Sequence, residues 1–570
     1  MKTTNQDWTA SPSTFRGRTP TPLAFGTSGL RGLITDITDL EAYINTRGFL
    51  AYLFQRGELQ RQETVYIGGD LRPSTDSPER SIMRAVARAI EDAGLKVDNQ
   101  GLLPTPALAY YAMVQGQPSI MITGSHIPFD RNGIKFYKTS GEVLKDDEAG
   151  ILEAVAEVRQ AEYARPAAES IFADSGMFKP GQERPLPPAN EEARYVYIQR
   201  YEAFFAPQAL KGLRIIFFQH SAVGRDLLVE ILRQLGAEVF PVGRSEEFVS
   251  LDTEDISQER LEHLQQLVDE VVAEHGTADA VVSTDGDSDR PLLLGIRPDA
   301  KVQFFGGDLL GIVVADYLSP DFVAVPISAN DAVDRHLAKL GLTPRKTKIG
   351  SPFVIAAMNE ARETGKQRVV GWEANGGFMI GSAIERNGKT LEALPTRDAC
   401  LPLLAALSAA MQNHCSLVDL FARLPPRFSK AGLIDQFPQE TSRSLIQRFS
   451  PPDDLVQEMD YATEPVTLHL GNGREAPASA SFAADAAAIK EELQGFFTPA
   501  EGFGEIARIN VIDGVRITFA NGEIAHIRPS GNAPQLRIYA VADTQARADE
   551  MVARALQEPH GILRRLEASV

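Results

Sequence analysis

Cysteine is nearly absent: Cys400 and Cys415 are the only two in 570 residues. Two thiols cannot build a zinc cluster and offer no disulfide framework, which is consistent with a reducing compartment. Long apolar runs are missing as well. The longest, around Cys400 to Met411, falls short of a bilayer span, and the N-terminus MKTTNQDWTASPSTFRGRTP lacks the apolar core of a secretory signal. No long basic block occurs, and 57 Lys and Arg stand against 76 Asp and Glu for a net charge of -19. That balance disfavours a nucleic-acid binder held by phosphate contacts. The expectation is a soluble, cytoplasmic protein with neither membrane nor nucleic acid as partner; its oligomeric state is not legible. Also lacking are a G-x-S-x-G elbow, which disfavours a serine hydrolase, and the lysine of a Walker loop.

Apolar material is plentiful at 43% of the chain. At about 150 residues per domain the length predicts roughly four domains. A weak repeat supports this. Three amphipathic segments, SIMRAVARAIEDAGLKV, GRDLLVEILRQLGAEV and DAVDRHLAKLGLTP, each end a helix in Gly (Gly94, Gly236, Gly341). Before each lies a strand-like run (ETVYIGGD, LRIIFFQH, DFVAVPISAN), and after each comes another (SIMITGSH, ADAVVSTDGD, QRVVGWEAN). Gly94 to Ser125 spans 31 residues and Gly341 to Glu373 spans 32, but Gly236 to Asp285 spans 49. The second unit therefore needs an insertion, expected in the acidic stretch Ser257 to Glu274. Such units predict α/β domains whose ligands sit just past strand ends. Residues Arg165 to Glu192, rich in Pro, Ala, Glu and Gly, read as a linker or a long surface connection. Near the C-terminus, alternation around Asn521-Gly522 predicts a hairpin, followed by the helix TQARADEMVARALQ, hence a fourth domain with an antiparallel sheet.

Five segments carry chemistry. In TGSHIPFDRNGIKFY, Ser125 leaves a buried strand beside His126 with Lys135 ten residues on, which suits a phosphoryl-accepting hydroxyl. A strand-capping turn suits the same string. In STDGDSDRP, Asp285, Asp287 and Asp289 alternate after a strand, roughly 7 Å apart if extended, and a modest curl converges them on one ion. Hard oxygens select Mg²⁺ or Ca²⁺, and the Gly and Glu of an EF-hand are missing. GWEANGGF places Glu373 and Asn375 among glycines, suited to a polyol or to a tight turn. RPSGNAP, with Arg528, Ser530, Gly531, Asn532 and then Arg537, is a donor-rich loop for a phosphate monoester or a plain turn between strands. FGTSGLRG contributes Arg31, another potential phosphate donor.

In this order the five segments resemble the α-D-phosphohexomutase superfamily of phosphoglucomutases and phosphomannomutases, from Phe25 to about Tyr539. The resemblance implies three related α/β domains with mixed sheets plus a C-terminal α+β domain with an antiparallel sheet, around a central cleft. The bounds expected are 1–165, 190–306, 307–425 and 426–570. It implies that Ser125 carries the phosphoryl group, that Mg²⁺ is held by Asp285, Asp287 and Asp289 with Ser125, and that Arg31 and Arg290 bind the reacting phosphate. Lys135 matches a proton-transfer lysine, and His126 lies in the same catalytic loop. Glu373 and Asn375 fall in the sugar-recognition loop. Arg528, Ser530, Gly531, Asn532 and Arg537 grip the other phosphate. The substrates implied are small sugar phosphates, interconverted between 6- and 1-phosphates through a hexose 1,6-bisphosphate intermediate that also serves as activator. Because the glucosamine-type GEQSGH pattern is absent, mannose is favoured over glucose and glucosamine. Departures are TGSHIP for TASHNP, Ser288 for the usual Gly, Asn532 for Thr, and EANGGF, which puts Gly377 or Phe378 where the family's second proton-transfer histidine stands.

Overall fold

The computed structural model describes residues 14–21, 23–26, 29–254, 256–471, 473–529 and 534–570. They form two compact units, one running through Val323 and resuming at Gly350–Phe421, the other made of Ala324–Ile349 and Ala422–Val570.

The predicted repeat grammar is the grammar of the fold. Strands Thr64–Gly69, Arg214–His220 and Phe322–Pro326 precede helices Ile82–Asp92, Arg225–Gln234 and Ala332–Lys339. Gly94, Gly236 and Gly341 follow those helices at φ +77°, +96° and +72°, a region open to glycine without a Cβ clash. A strand then leads into a crossover helix: Thr105–Val114, Gln258–His275 and Ser351–Glu363. The next strands, Ser119–Ile122, Ala280–Thr284 and Val369–Trp372, are wholly buried and built of apolar and small residues, as strands covered on both faces must be. Their carboxyl ends deliver Ser125, Asp285 and Glu373.

The sheets are mixed. In the first, Thr64–Gly69 pairs in parallel with Lys96–Leu102 and Ser119–Ile122, while Arg131–Lys138 runs antiparallel between Ser119–Ile122 and Leu30–Leu33. The second has Arg214–His220 parallel to its two neighbours, and Pro291–Ile296 antiparallel to Ala280–Thr284. In the third, Val369–Trp372, Phe378–Ile380 and Leu394–Asp398 pair antiparallel, and Ala324–Pro326 pairs in parallel with Arg345–Thr347.

One expectation changes and another gains detail. The acidic stretch is the second repeat's crossover helix, with 18 residues against 10 and 13 in the other two, and is no insertion. Most of the extra length is the loop Ser245–Ser257 before it. The Arg165 to Glu192 segment is a long surface connection, fastened to helix Asp39–Gln55 and strand Lys96–Leu102. Phe172 stacks on Phe178 with centroids 5.2 Å apart and meets Tyr43 edge-on. Phe178 N donates to Asp39 Oδ2 at 2.9 Å, and Asn190 N to Asn99 O at 2.7 Å. Two aromatic anchors in a polar segment are enough to dock it, and composition averages them away.

In the second unit an eight-stranded antiparallel sheet runs from Phe428–Asp435 to Gln535–Ala542 in sequence. The Asn521-Gly522 hairpin joins Val515–Phe519 to Ile524–Pro529. Helix Gln545–Leu556 follows, its first turn capped by Thr544, which accepts from Arg547 N at 3.2 Å. No helix among the described residues is long and apolar enough to cross a membrane.

Two buried histidines make stability pH-dependent. His220 bonds the Thr284 carbonyl at 2.8 Å, His526 that of Asp513 at 2.7 Å, and burial holds each imidazole down to about 4. Below pH 6.5 the unfolded chain binds protons that the folded chain refuses, so stability is full above 6.5 and falls by about 3 kcal/mol per histidine as pH drops to 4. Urea midpoints are expected to decline across that window, and less steeply in His526→Gln. An identical pH slope in the variant contradicts this origin.

Candidate active site

Ser125 lies three residues past its strand, at φ +56°. A non-glycine residue in that region carries strain and must be held. The holder is a buried pair that sequence reading missed, Asp70 and Arg72, at the carboxyl end of Thr64–Gly69. Asp70 Oδ2 accepts from Thr123 Oγ1 at 2.8 Å and Gly124 N at 3.3 Å, and Thr123 Oγ1 in turn accepts from Ser125 N at 2.8 Å. The Arg72 guanidinium donates to four carbonyls of the serine loop and its exit: Ser125 at 3.0 Å, Ile127 at 2.6 Å, Pro128 at 2.7 Å and Arg131 at 3.0 Å. A Cβ on Gly124 would stand 2.7 Å from Arg72 Cζ, so glycine there leaves room for the guanidinium. Asp70 closes ETVYIGGD, so the strand-end rule was the available signal.

The metal segment curls into a tight turn, which is the departure from an extended chain that convergence of the three acids requires. Asp285 N bonds Arg290 O at 3.0 Å, and Ser288 sits at φ +58°, held by Thr284 Oγ1 at 2.8 Å and Gly224 N at 3.0 Å. The turn brings one carboxylate oxygen from each of Asp285, Asp287 and Asp289 within 4.8 Å of the others, all buried. Asp285 Oδ2 accepts from Ser125 Oγ at 2.6 Å. Lys135, on strand Arg131–Lys138, bridges Asp287 Oδ2 and Asp289 Oδ2 at 2.7 Å each, and Thr105 Oγ1 donates to Asp287 Oδ2 at 2.6 Å. Asp287 Oδ1 and Asp289 Oδ1 are buried with no hydrogen-bond partner among the described residues. Two unsatisfied carboxylate oxygens facing a cluster of three acids fit a hard cation. Burial and the neighbouring Asp287 and Asp289 push the Asp285 carboxyl well above its usual range. Asp289 is held below that range despite burial, because Arg397, Lys135 and Arg290 outweigh it.

Cations gather beside the triad. Arg31, paired across strands with Gly133, is lowered to about 10 by burial and by Arg290 and Arg397. Arg290 lies 3.9 Å from Asp285 Oδ2 and 3.7 Å from Asp289 Oδ1. Arg31 Nη2 and Arg290 Nε are buried with no hydrogen-bond partner among the described residues. Crowded, unsatisfied guanidinium groups suit an anion such as phosphate. His126 Nδ1 is 3.4 Å from Ser125 Oγ, and Arg290, burial and Arg31 keep the ring neutral.

In the sugar segment, Glu373 N bonds Gly377 O at 3.3 Å and Gly376 N bonds Glu373 O at 2.8 Å, with Gly376 at φ +85°. Glu373 Oε2 accepts from Arg397 Nη1 at 2.9 Å. Asn375 Oδ1 accepts from Gly377 N at 3.0 Å. Thr253, in the long loop of the second repeat, donates to Asn375 O at 2.9 Å, and Ser250 of that loop donates to His126 O. Arg397 and Thr253 were not legible in sequence.

In the second unit, Arg528 and Arg537 face each other across adjacent strands. Arg528 Nε donates to Asp513 Oδ1 at 3.0 Å, and Asp513 Oδ2 accepts from Ile349 N at 3.0 Å. Arg537 Nε is buried with no hydrogen-bond partner among the described residues. Like charges in register repel, and Asp513 beside Arg528 offsets part of that repulsion. Ser530, Gly531 and Asn532 lie outside the described residues.

A loop bearing a strained serine, a buried acidic triad and a cationic cluster, set on three related α/β domains in a chain that also carries an antiparallel C-terminal domain, define a phosphohexomutase, an isomerase that works by phosphoryl transfer. Models of the phosphoglucomutase/phosphomannomutase α/β/α domains I, II and III match residues 22–162, 195–295 and 306–428, and that of the C-terminal domain matches 473–558. The chain belongs to the phosphoglucomutase/phosphomannomutase family. It is 39% identical over 534 residues to a phosphomannomutase of Sinorhizobium fredii, covering 93% of this chain and 98% of that one. To a phosphomannomutase of Salmonella muenchen it is 35% identical over 538 residues, covering 93% and 94%. A crystal structure of a phosphoglucomutase/phosphomannomutase family protein from Burkholderia thailandensis shares the fold, with a TM-score of 0.62 at 17% identity over 95% of this chain and 97% of that one.

Proposed function

We propose that the chain interconverts mannose 6-phosphate and mannose 1-phosphate through phosphorylated Ser125 and a bound hexose 1,6-bisphosphate. One observation carries the reading: Ser125 Oγ meets Asp285 Oδ2 at 2.6 Å, on a triad whose other two carboxylates Lys135 bridges. In the first half-reaction the P–Oγ bond breaks, its electron pair staying on Oγ, and a P–O bond forms to the free sugar hydroxyl. Lys135, an ammonium at the start, gives a proton to Oγ as the P–Oγ bond breaks and takes the hydroxyl's proton in its place, so it ends the step as an ammonium again. The second half-reaction runs in reverse at the other end of the sugar, so protons and phosphoryl groups balance over the cycle. Lys135 is kept protonated by Asp287 and Asp289 against its burial, which suits it to donate to the sugar oxygen that loses phosphate.

Mg²⁺ is the cation we assign to Asp285, Asp287 and Asp289, with phosphorylated Ser125 adding an oxygen, because the donors are all hard. When bound it supplies Lewis-acid stabilisation of the transferring group. Arg31 and Arg290 hold the reacting phosphate, Glu373 and Asn375 the sugar hydroxyls. Arg528 and Arg537, with Ser530, Gly531 and Asn532, hold the other phosphate and orient the sugar. His126, kept neutral, contributes a hydrogen bond to Ser125. We place the domain bounds at 1–165, 190–306, 307–425 and 426–570. Two free cysteines support a cytoplasmic setting.

The test is a coupled assay with mannose, glucose and glucosamine 6-phosphates, with and without hexose 1,6-bisphosphate. Mannose 6-phosphate is expected to turn over fastest, with bisphosphate shortening the lag. A preference for glucose or glucosamine phosphate overturns the substrate assignment. Free phosphate without isomerised sugar indicates a phosphatase, and binding without turnover a sensor.

A further inference from the structure

The sugar loop has no histidine, and the geometry shows what stands in that place. A Cβ on Gly377 would lie 2.6 Å from Arg397 Cδ, 2.7 Å from Cγ and 2.9 Å from Cβ, so the stem of Arg397 fills the space a side chain at 377 needs. Phe378, the other position aligned with the histidine, is fully buried and stacks on Trp372 at 5.6 Å. The Arg397 head group is forked. Nε and Nη2 donate to Asp289 Oδ2 at 3.1 and 3.0 Å, and Nη1 to Glu373 Oε2 at 2.9 Å. Its strand end is pinned next door, where Asp398 accepts from Tyr197 OH at 2.6 Å, from Tyr201 OH and from Cys400 N at 2.9 Å.

We propose that Arg397 is a positioning residue that couples the cation-binding turn to the sugar loop, so that a change at Glu373 is felt as a change in metal affinity at Asp289. This deepens the functional reading above and rests on its assignment of Mg²⁺ to the triad. The physical basis is that one planar fork fixes both carboxylates at once. Asp289 Oδ2 is held by Arg397 and Lys135, leaving Oδ1 as the free ligand, and Glu373 is turned toward the same fork. Lysine keeps the charge but cannot reach both acids in a fixed geometry. Glycine at 377 is the condition for Arg397 to lie there, so sugar-loop histidine and coupling arginine exclude each other.

The experiment titrates the full-length protein with Mg²⁺ alone and follows its thermal midpoint. Arg397→Lys is expected to raise half-saturating Mg²⁺ about 10-fold, the usual penalty for losing a partner of a metal ligand. Glu373→Gln, a change in the sugar loop, is expected to raise it about 3-fold in the wild-type background and to have no further effect in Arg397→Lys. Gly377→Ala, which leaves every charge in place but displaces the arginine stem, is expected to act in the same direction. Unchanged half-saturation in Arg397→Lys, or an undiminished Glu373→Gln effect in its background, overturns the coupling. Because no sugar is present, the outcome is independent of the substrate panel. Absence of any Mg²⁺ response in the wild-type chain defeats the metal assignment instead.

Discussion

Ser125→Ala is expected to lower mutase turnover by at least about four orders of magnitude, the scale of removing a covalent nucleophile. The variant keeps the backbone position, because Asp70 and Arg72 hold the loop through Thr123, Gly124 and the Ser125 carbonyl and not through Oγ. Its thermal midpoint should therefore stay close to that of the parent, which separates lost chemistry from lost folding. Peptide mapping by mass should find phosphoserine at residue 125 in the parent after exposure to hexose 1,6-bisphosphate, and none in the variant. Full activity in Ser125→Ala, without phosphoserine in the parent, removes Ser125 from the mechanism.

Asp287→Asn is expected to cut turnover about 100-fold or more at fixed Mg²⁺ and to abolish most of the Mg²⁺-induced rise in thermal midpoint. Of the three acids, Asp287 is the cleanest to test. Its Oδ2 is occupied by Lys135 and Thr105 while Oδ1 is free, and an amide preserves shape and most of the hydrogen bonding. What the amide removes is a formal charge from a ligand set that needs three. The apo variant should fold, since one fewer buried carboxylate reduces repulsion on Asp285 and Asp289 even as Lys135 loses a partner. Mg²⁺-dependent stabilisation and activity equal to those of the parent place the ion elsewhere. The two variants also differ from each other: Ser125→Ala should retain a Mg²⁺ response in the thermal midpoint that Asp287→Asn lacks.

Much of this architecture was legible because it is written locally. A helix that stops at Gly94, a strand that follows it and a polar residue at the next strand's end are short-range features, set by backbone sterics, capping and the period of apolar residues. The same rule located Ser125, Asp285 and Glu373, which occupy equivalent strand ends in the three repeats. The acidic helix Gln258–His275 was misjudged because charge composition does not distinguish an insertion from a crossover with one wet face. The segment around Phe172 and Phe178 is the surface connection its composition predicts, but its docking was not legible because two aromatic residues decide it and an average over composition hides them.

The sequence by itself therefore determined the α/β repeats, the antiparallel C-terminal hairpin and helix, and the order of the loops that carry the serine, the carboxylates and the arginines. Only the tertiary structure decided how these groups are held. Arg72 reaches the Ser125 carbonyl across 53 residues, Lys135 reaches Asp289 across 154, and Arg397 reaches Asp289 across 108. Local patterns mark Ser125, Lys135 and Asp289 but not which group each one meets, because a buried cation finds its partners through the packing of sheets and not through spacing along the chain. For the same reason the missing sugar-loop histidine could be noticed in the sequence, while the arginine that fills its space could be found only in the folded molecule.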